Sequence, residues 1–298
     1  MSYGIPYKGS KNLIEKSIID FLPEGDVLID ICAGGCAVTH AALEHMNSHI
    51  IPKWKKVIAN DIKNMPLELF KKAINGDMKN ENRWIDRETF FKKKDTDPYV
   101  KYCWSFGNNG KDYLYSKEIE SWKKALHYAL VLKDFSLIEK FIGKIPNEGK
   151  ENLKLYIKKK YELQSLGRLQ SLGSLRSLRS LQSLESLERL QRLQRLKHLE
   201  NSEFINIEFS NVSYEKVKIP DNAVIYADIP YYGTDCGSYE GFNHKAFFDW
   251  AAEQKNIYIS SYNIDDDRFM SAWEKPKRNL ASQKGTGKLM MERIYTVK

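Results

Sequence analysis

The chain has 298 residues, 42% of them apolar and 29% charged, and carries a formal net charge of +8. That length allows one large or two modest domains, and 17 Tyr, 13 Phe and 6 Trp exclude disorder as the overall description, since such side chains gain nothing by staying in water. No run approaches the roughly eighteen apolar residues of a membrane helix, and the segment from Met1 to Lys11 lacks the apolar core of a secretory signal, so neither is expected.

In chain order, Lys11 to Phe21 has helical periodicity and stops before Pro23. Asp26-Val-Leu-Ile-Asp30 reads as a short buried strand running into the small-residue turn Cys32-Ala-Gly-Gly-Cys36. A helix over about Val38 to Met46 follows, then a second strand, Lys56 to Ala59, ending at Asn60-Asp61. Strand, glycine turn, helix, strand and acid make a βαβ unit with a parallel pair. Residues 64–160 look mainly helical. Strand patterns return as Phe204–Phe209, Ala223–Ala227 and Asn256–Ser260, so a long helical insertion interrupts one sheet whose halves meet in space.

Residues 53–124 hold 17 Lys/Arg against 11 Asp/Glu, a net +6 out of the chain's +8. Interleaved Trp54, Trp84, Tyr99, Tyr102, Trp104, Tyr113, Tyr115 and Trp122 make this stretch either a footprint for a polyanion or a lysine-rich solvated helical surface. From Leu163 to Leu199 leucine recurs at every third position, thirteen times. A period of three winds leucines around an α-helix, each repeat falling about 60° short of a turn. A 3₁₀-helix or a solenoid-like coil are the other options, and the stretch reads as a spacer or partner contact whose arginines (Arg168, Arg176, Arg179, Arg189, Arg192, Arg195) can touch phosphate.

Two places carry chemistry. The turn Asp30-Ile-Cys-Ala-Gly-Gly35 is either a tight turn alone or one that lets a ligand approach the backbone beside a helix start, with Asp61 placed where such folds hold ribose hydroxyls. At Ala227-Asp-Ile-Pro-Tyr-Tyr-Gly-Thr234 an apolar strand delivers an acid, a proline and two aromatics to the carboxyl end of the sheet. A carboxylate and a carbonyl beside an aromatic face can grip a planar, amino-bearing group such as a nucleobase; the plainer reading is a strand-to-loop turn with a packed tyrosine.

Other motifs carry less. Gly285-Thr-Gly-Lys288 lacks phosphate-loop spacing and reads as an ordinary loop. His40, His45 and His49 have no further ligand signal, and Cys32, Cys36, Cys103 and Cys236 complete no zinc set, so no metal is expected and the thiols read as reduced and intracellular. The absence of a Pro-Cys dipeptide argues against the cysteine-nucleophile chemistry of 5-methylcytosine enzymes.

Taken together, Pro6-Tyr-Lys-Gly-Ser-Lys11, Asp30-Ile-Cys-Ala-Gly-Gly35, Asp61, the helical insertion, Asp228-Ile-Pro-Tyr231 and Ile259-Ser-Ser-Tyr-Asn263 stand in an order that resembles the D12-class (Dam-like) N6-adenine DNA methyltransferases. Trp104-Ser-Phe-Gly-Asn-Asn-Gly110 looks like a feature of phage-type members, and Glu274–Glu292 looks like the end of the family's catalytic domain. The resemblance covers about 1–125 and 203–298. It implies an α/β fold with a Rossmann-like mixed sheet flanked by helices: a catalytic domain from 1–63 and 203–298, a helical target-recognition insertion at 64–162, and the leucine repeat at 163–202. It further implies S-adenosylmethionine as methyl donor and duplex DNA with a flipped base as partner, in the cytoplasm of a bacterial or phage-infected cell, with no membrane and a monomer or weak dimer.

By the same resemblance, Tyr7 and Lys11 border the donor's methionine end; Asp30, Ala33, Gly34 and Gly35 form its pocket; Asp61 binds its ribose; and Ser213 lies where its adenine is met. Asp228, Ile229, Pro230 and Tyr231 make the catalytic turn, with Asp228 and the Ile229 carbonyl accepting from the adenine amine and Tyr231 stacking on the ring. Three departures stand out: Ile229 replaces a proline, Cys32 replaces an aromatic, and Ser213-Tyr214 replaces an Asp-aromatic pair. N4-cytosine methylation and a catalytically silent DNA-binding relative are the alternatives.

Overall fold

The computed structural model describes residues 3–11, 13–166, 206–231, 239, 241–278 and 289–298. The described residues up to Asp77 and from 206 onward form one compact unit, and those from Met78 to 166 form another. The leucine repeat beyond Leu166, residues 204–205, the Gly285–Lys288 motif, Tyr232-Gly-Thr234 and Cys236 lie outside the described residues.

The first unit holds a seven-stranded mixed sheet in the order β3-β2-β1-β4-β5-β7-β6. Its strands are β1 (Val27–Asp30), β2 (Lys56–Asn60), β3 (Ile207–Ser210), β4 (Ala223–Asp228), β5 (Ile257–Ser261), β6 (Phe269–Arg278) and β7 (Leu289–Val297). The first five are parallel, while β7 runs antiparallel to both β5 and β6. This is the Rossmann-like arrangement expected, and β1 and β2 before the helical stretch pair with β4 and β3 after it. Parallel strands covered on both faces need continuous apolar runs, which is what Val-Leu-Ile and Ala-Val-Ile-Tyr-Ala supply.

Helix α2 (Ala37–Ser48) packs on β1 and β2, and α1 (Glu15–Phe21) packs on α2. Helix α1 begins at Glu15 and not at Lys11, because Lys11 to Ile14 form a turn that leaves Lys11 turned into the sheet's end. It stops where Leu22 becomes extended ahead of Pro23, whose ring disfavours a helical predecessor. Lys53 Nζ then donates to the carbonyls of Ile19, Asp20 and Leu22 at 3.0, 2.8 and 2.7 Å, satisfying the orphan acceptors of that helix end. On the opposite face Ile29, Ile225, Ile257 and Ile259 pack with Phe247 and Ala251. Both come from a helix, His244–Ala251, whose first turn is capped by Asn243. Helix α3 (Asn64–Ile74) completes the described helices that follow β2 in this unit.

The second unit is helical: α4 (Arg87–Lys93), α5 (Pro98–Cys103), α6 (Lys117–Val131), α7 (Ser136–Ile142), α8 (Asn147–Glu151) and α9 (Leu153–Leu166). The helix of residues 244–251 is therefore α10. Asp86 and Asp97 cap α4 and α5, the latter with Pro98 at the first helical position. Between α5 and α6, Ser105 pairs antiparallel with Tyr113, and Phe106 at the head of that loop is exposed.

The aromatics of the basic stretch are mostly core and not a stacking surface, which corrects half of the polyanion reading. Trp54 and Trp104 are fully buried, and Tyr99, Tyr102, Tyr113 and Tyr115 nearly so. Trp84 stacks on Tyr115 at 5.7 Å and meets Trp104 edge-on at 5.0 Å. Burial of rings this large dominates a small core. Lys71, Lys72, Lys92 and Lys93 of the same stretch are exposed.

Candidate active site

The strand order reverses between β1 and β4, and the carboxyl ends of parallel strands flanking such a point form the natural crevice of an open sheet. Register sets the two ends: Asp30 lies opposite Tyr226, so Asp228 projects two residues further and stands opposite Ser260 of β5.

At the end of β1, Asp30 is almost wholly buried, and its Oδ2 accepts from the backbone N–H and the hydroxyl of Thr39 at 3.1 and 2.7 Å. Burial pushes its carboxyl up to about 7, against the lowering effect of Thr39. Gly34 takes a left-handed φ of 48°, and Cys36, at the start of α2, one of 56°. A Cβ on Gly35 would lie 2.5 Å from Tyr7 Cβ, and one on Gly34 would lie 3.0 Å from the Tyr7 ring. The glycines thus admit Tyr7, which rests on the turn while Ile5 N donates to Gly35 O at 2.9 Å. Ala33 N donates to Asn60 O at 2.8 Å. Asn60, fully buried, ties the turn to the next segment through Ile31 O and Val212 O.

Asp61, just past β2, is buried, and its oxygens accept from Gly34 N and Lys63 N at 2.8 Å each. The Tyr239 hydroxyl reaches both oxygens at 3.0 Å and pairs with the Tyr7 hydroxyl at 2.9 Å. Burial raises the Asp61 carboxyl, and the two backbone donors oppose that rise. Ser213 is half-buried, its carbonyl accepting from Lys216 N. Its neighbour Tyr214 packs edge-on against Phe247 and Trp250.

The third cluster surrounds Asp228. Lys11 Nζ lies 2.6 Å from Asp228 Oδ1, 3.6 Å from Glu292 Oε1 and 4.7 Å from the Tyr231 ring centroid. Lys11 and Glu292 are buried, whereas the Asp228 side chain keeps 23% of its exposure. Burial works against the Lys11 ammonium, but Asp228 and Glu292 more than offset it and hold its pKa above the ordinary value. The Tyr231 hydroxyl donates to Glu292 Oε1 and lies 3.2 Å from Ser260 Oγ, while Ser260 itself donates to Glu292 at 2.9 Å. Burial, and then the two carboxylates, push the Tyr231 phenol far up, so it stays protonated. Ile229 is buried, and the Pro230 carbonyl accepts from His244 Nε2 at 2.6 Å, which pins the turn to the start of α10.

Tyr7, Lys11, Asp30, the glycine turn, Asp61, Ser213 and Asp228 to Tyr231 therefore lie at the carboxyl ends of these strands or in the segments beside them. Four partners have no role in the site as read from the sequence: Asn60, Tyr239, Ser260, which lies within the Ile259–Asn263 motif, and Glu292, which ends the Glu274–Glu292 segment. Glu292 had a signal, a lone carboxylate in the apolar run Leu-Met-Met-Glu-Arg-Ile. Tyr239 had none.

Residues 7–164 match the D12 class N6 adenine-specific DNA methyltransferase family. The chain belongs to that family. The match takes in Tyr7, Lys11, the glycine turn and Asp61, and ends before Ser213 and Asp228. Membership favours adenine in DNA over cytosine as the methylated base. No curated relative matches the chain. Among the described residues no group of His, Cys, Asp or Glu could hold a metal ion, and no helix is long and apolar enough to cross a membrane. His40 accepts from Gly4 N, while His45 and His49 stack on each other, so the three histidines do not converge.

Proposed function

We propose that this methyltransferase transfers a methyl group from S-adenosylmethionine to N6 of an adenine flipped out of duplex DNA. The observation that carries the reading is Asp228, a partly exposed carboxylate at the sheet's switch point, flanked by Lys11 and Tyr231. The donor residues fit a ribose-bearing cofactor: the Tyr239 hydroxyl on both Asp61 oxygens stands where a ribose hydroxyl would donate. The cofactor would supply an electrophilic methyl group on a sulfonium.

Asp61 would hold the ribose, with Ala33, Gly34 and Gly35 lining the approach, Asp30 holding the turn on α2 and Ser213 near the purine. Tyr7 and Lys11 would bound the other end. Asp228 and the carbonyl of Ile229 would accept from the exocyclic amine, turning the nitrogen lone pair toward the methyl group; Pro230 shapes that turn. Tyr231 would stack on the base, returning part of the few kcal/mol that flipping costs. Catalysis would then consist of positioning and of a carboxylate aimed at the charge that develops on nitrogen. The helical unit, with its exposed lysines, would meet the phosphates.

Purified protein, mixed-sequence duplex DNA and methyl-labelled S-adenosylmethionine test the reading after digestion to nucleosides. N6-methyladenine is expected, and Asp228→Ala should lower its rate by about 10²–10³, the scale set by removing one preorganised partner of a developing charge. N4-methylcytosine would correct the base, and no product would sink the reading.

A further inference from the structure

We infer that Glu292, on the last strand, is a positioning residue that sets both the orientation of Tyr231 and the charge borne by Asp228; this rests on the function proposed above. Glu292 has no exposed side-chain surface, and a buried carboxylate is costly unless it is paired and hydrogen-bonded. Its Oε1 meets three groups at once: the Tyr231 hydroxyl, Ser260 Oγ at 2.9 Å and Lys11 Nζ at 3.6 Å.

Each contact has a consequence for the reacting centre. The phenol anchor fixes the far end of Tyr231, whose ring is braced edge-on by Tyr262 at 4.5 Å and covered by Lys11. The ring is thereby held in one plane before a base arrives to stack on it. Lys11 is one cation between two carboxylates, and Glu292 draws on the ammonium that sits 2.6 Å from Asp228. Were Glu292 neutral, the full charge of Lys11 would fall on Asp228, and that carboxylate would be a poorer acceptor for an amine growing positive. Two carboxylates around one lysine, Glu292 buried and Asp228 partly exposed, thus leave the site a net negative charge, which suits a reaction that builds positive charge on nitrogen.

Two variants separate the roles. Glu292→Gln keeps the size and an acceptor oxygen but removes the charge, and Tyr231→Phe keeps the stacking ring but removes the anchor. Each should lower kcat about tenfold, the scale of one charge-assisted hydrogen bond, with the affinity for S-adenosylmethionine by calorimetry unchanged. The double variant should cost less than the product of the two, since both act on one contact. Independently of turnover, the phenol carbon resonance of Tyr231 in ¹³C-tyrosine-labelled protein, assigned by its loss in Tyr231→Phe, should move in Glu292→Gln. An unmoved resonance, or kcat values within twofold of wild type, overturns the inference. If Glu292→Gln does not fold, an unchanged kcat in Tyr231→Phe does so. If the wild type makes no methylated base, the functional reading falls, while the resonance still decides whether Glu292 anchors Tyr231.

Discussion

Asp30 looked from its position like a ligand-lining acid, yet its carboxylate is taken up by Thr39 at the start of α2. Its pKa, raised from 3.8 to about 7 by burial, has a consequence for stability. Between those values the folded protein holds a proton that the unfolded chain has released, so stability falls as pH rises through the window and levels off above it. Asp30→Asn keeps an acceptor for Thr39 without the charge, and its urea midpoint should vary less than that of wild type between about pH 4 and pH 7. An equal slope in both proteins would refute the assignment. At this scale the sequence was informative where a residue's neighbours are local, as for the glycine turn, and silent where they are not. Nothing near Tyr239 in the chain announces Asp61, 178 positions away.

Elements were easier to read than contacts. The buried strands β1, β2, β4 and β5 came out to within a residue or so, because a parallel strand covered on both faces is a continuous apolar run flanked by polar turns. The β6–β7 hairpin was harder, since its antiparallel strands carry charged residues such as Glu274 and Arg293, which pair with each other across the ladder. The aromatics at 84–122 misled for a related reason: composition counts rings but does not tell which side of a helix or loop they occupy. Helix α10 gives the element-scale prediction. Phe247 is fully buried between the sheet and Tyr214, so Phe247→Ala should destabilise the protein by about 3–5 kcal/mol in denaturant unfolding. A loss under about 1 kcal/mol would mean that this face repacks freely.

For the whole molecule, the net charge of +8 and the exposed lysines set how DNA binding should respond to salt. If α4 lies along the phosphates, replacing Lys92, Lys93 and Lys94 by alanine should weaken binding to all sequences alike. It should also reduce the slope of log K against log salt by up to about 3, near one unit per lost contact. A slope unchanged from wild type would place the DNA elsewhere.

The pairing of Lys11 with Asp228 joins positions 217 apart, and Glu292 lies further still, in the first half of the last strand. Synthesis runs at roughly 5–20 residues per second, so the nascent chain spends on the order of tens of seconds with β1 and β2 made and Asp228, Tyr231 and Glu292 still to come. The strand pairs β1–β4 and β2–β3 likewise wait for the helical unit to emerge. A sheet closed so late in synthesis is a slow, non-local folding problem. The carboxylates that meet Lys11 are thus supplied by strands made long after it, and a chain lacking β4 and β7 would leave that buried cation without both of them.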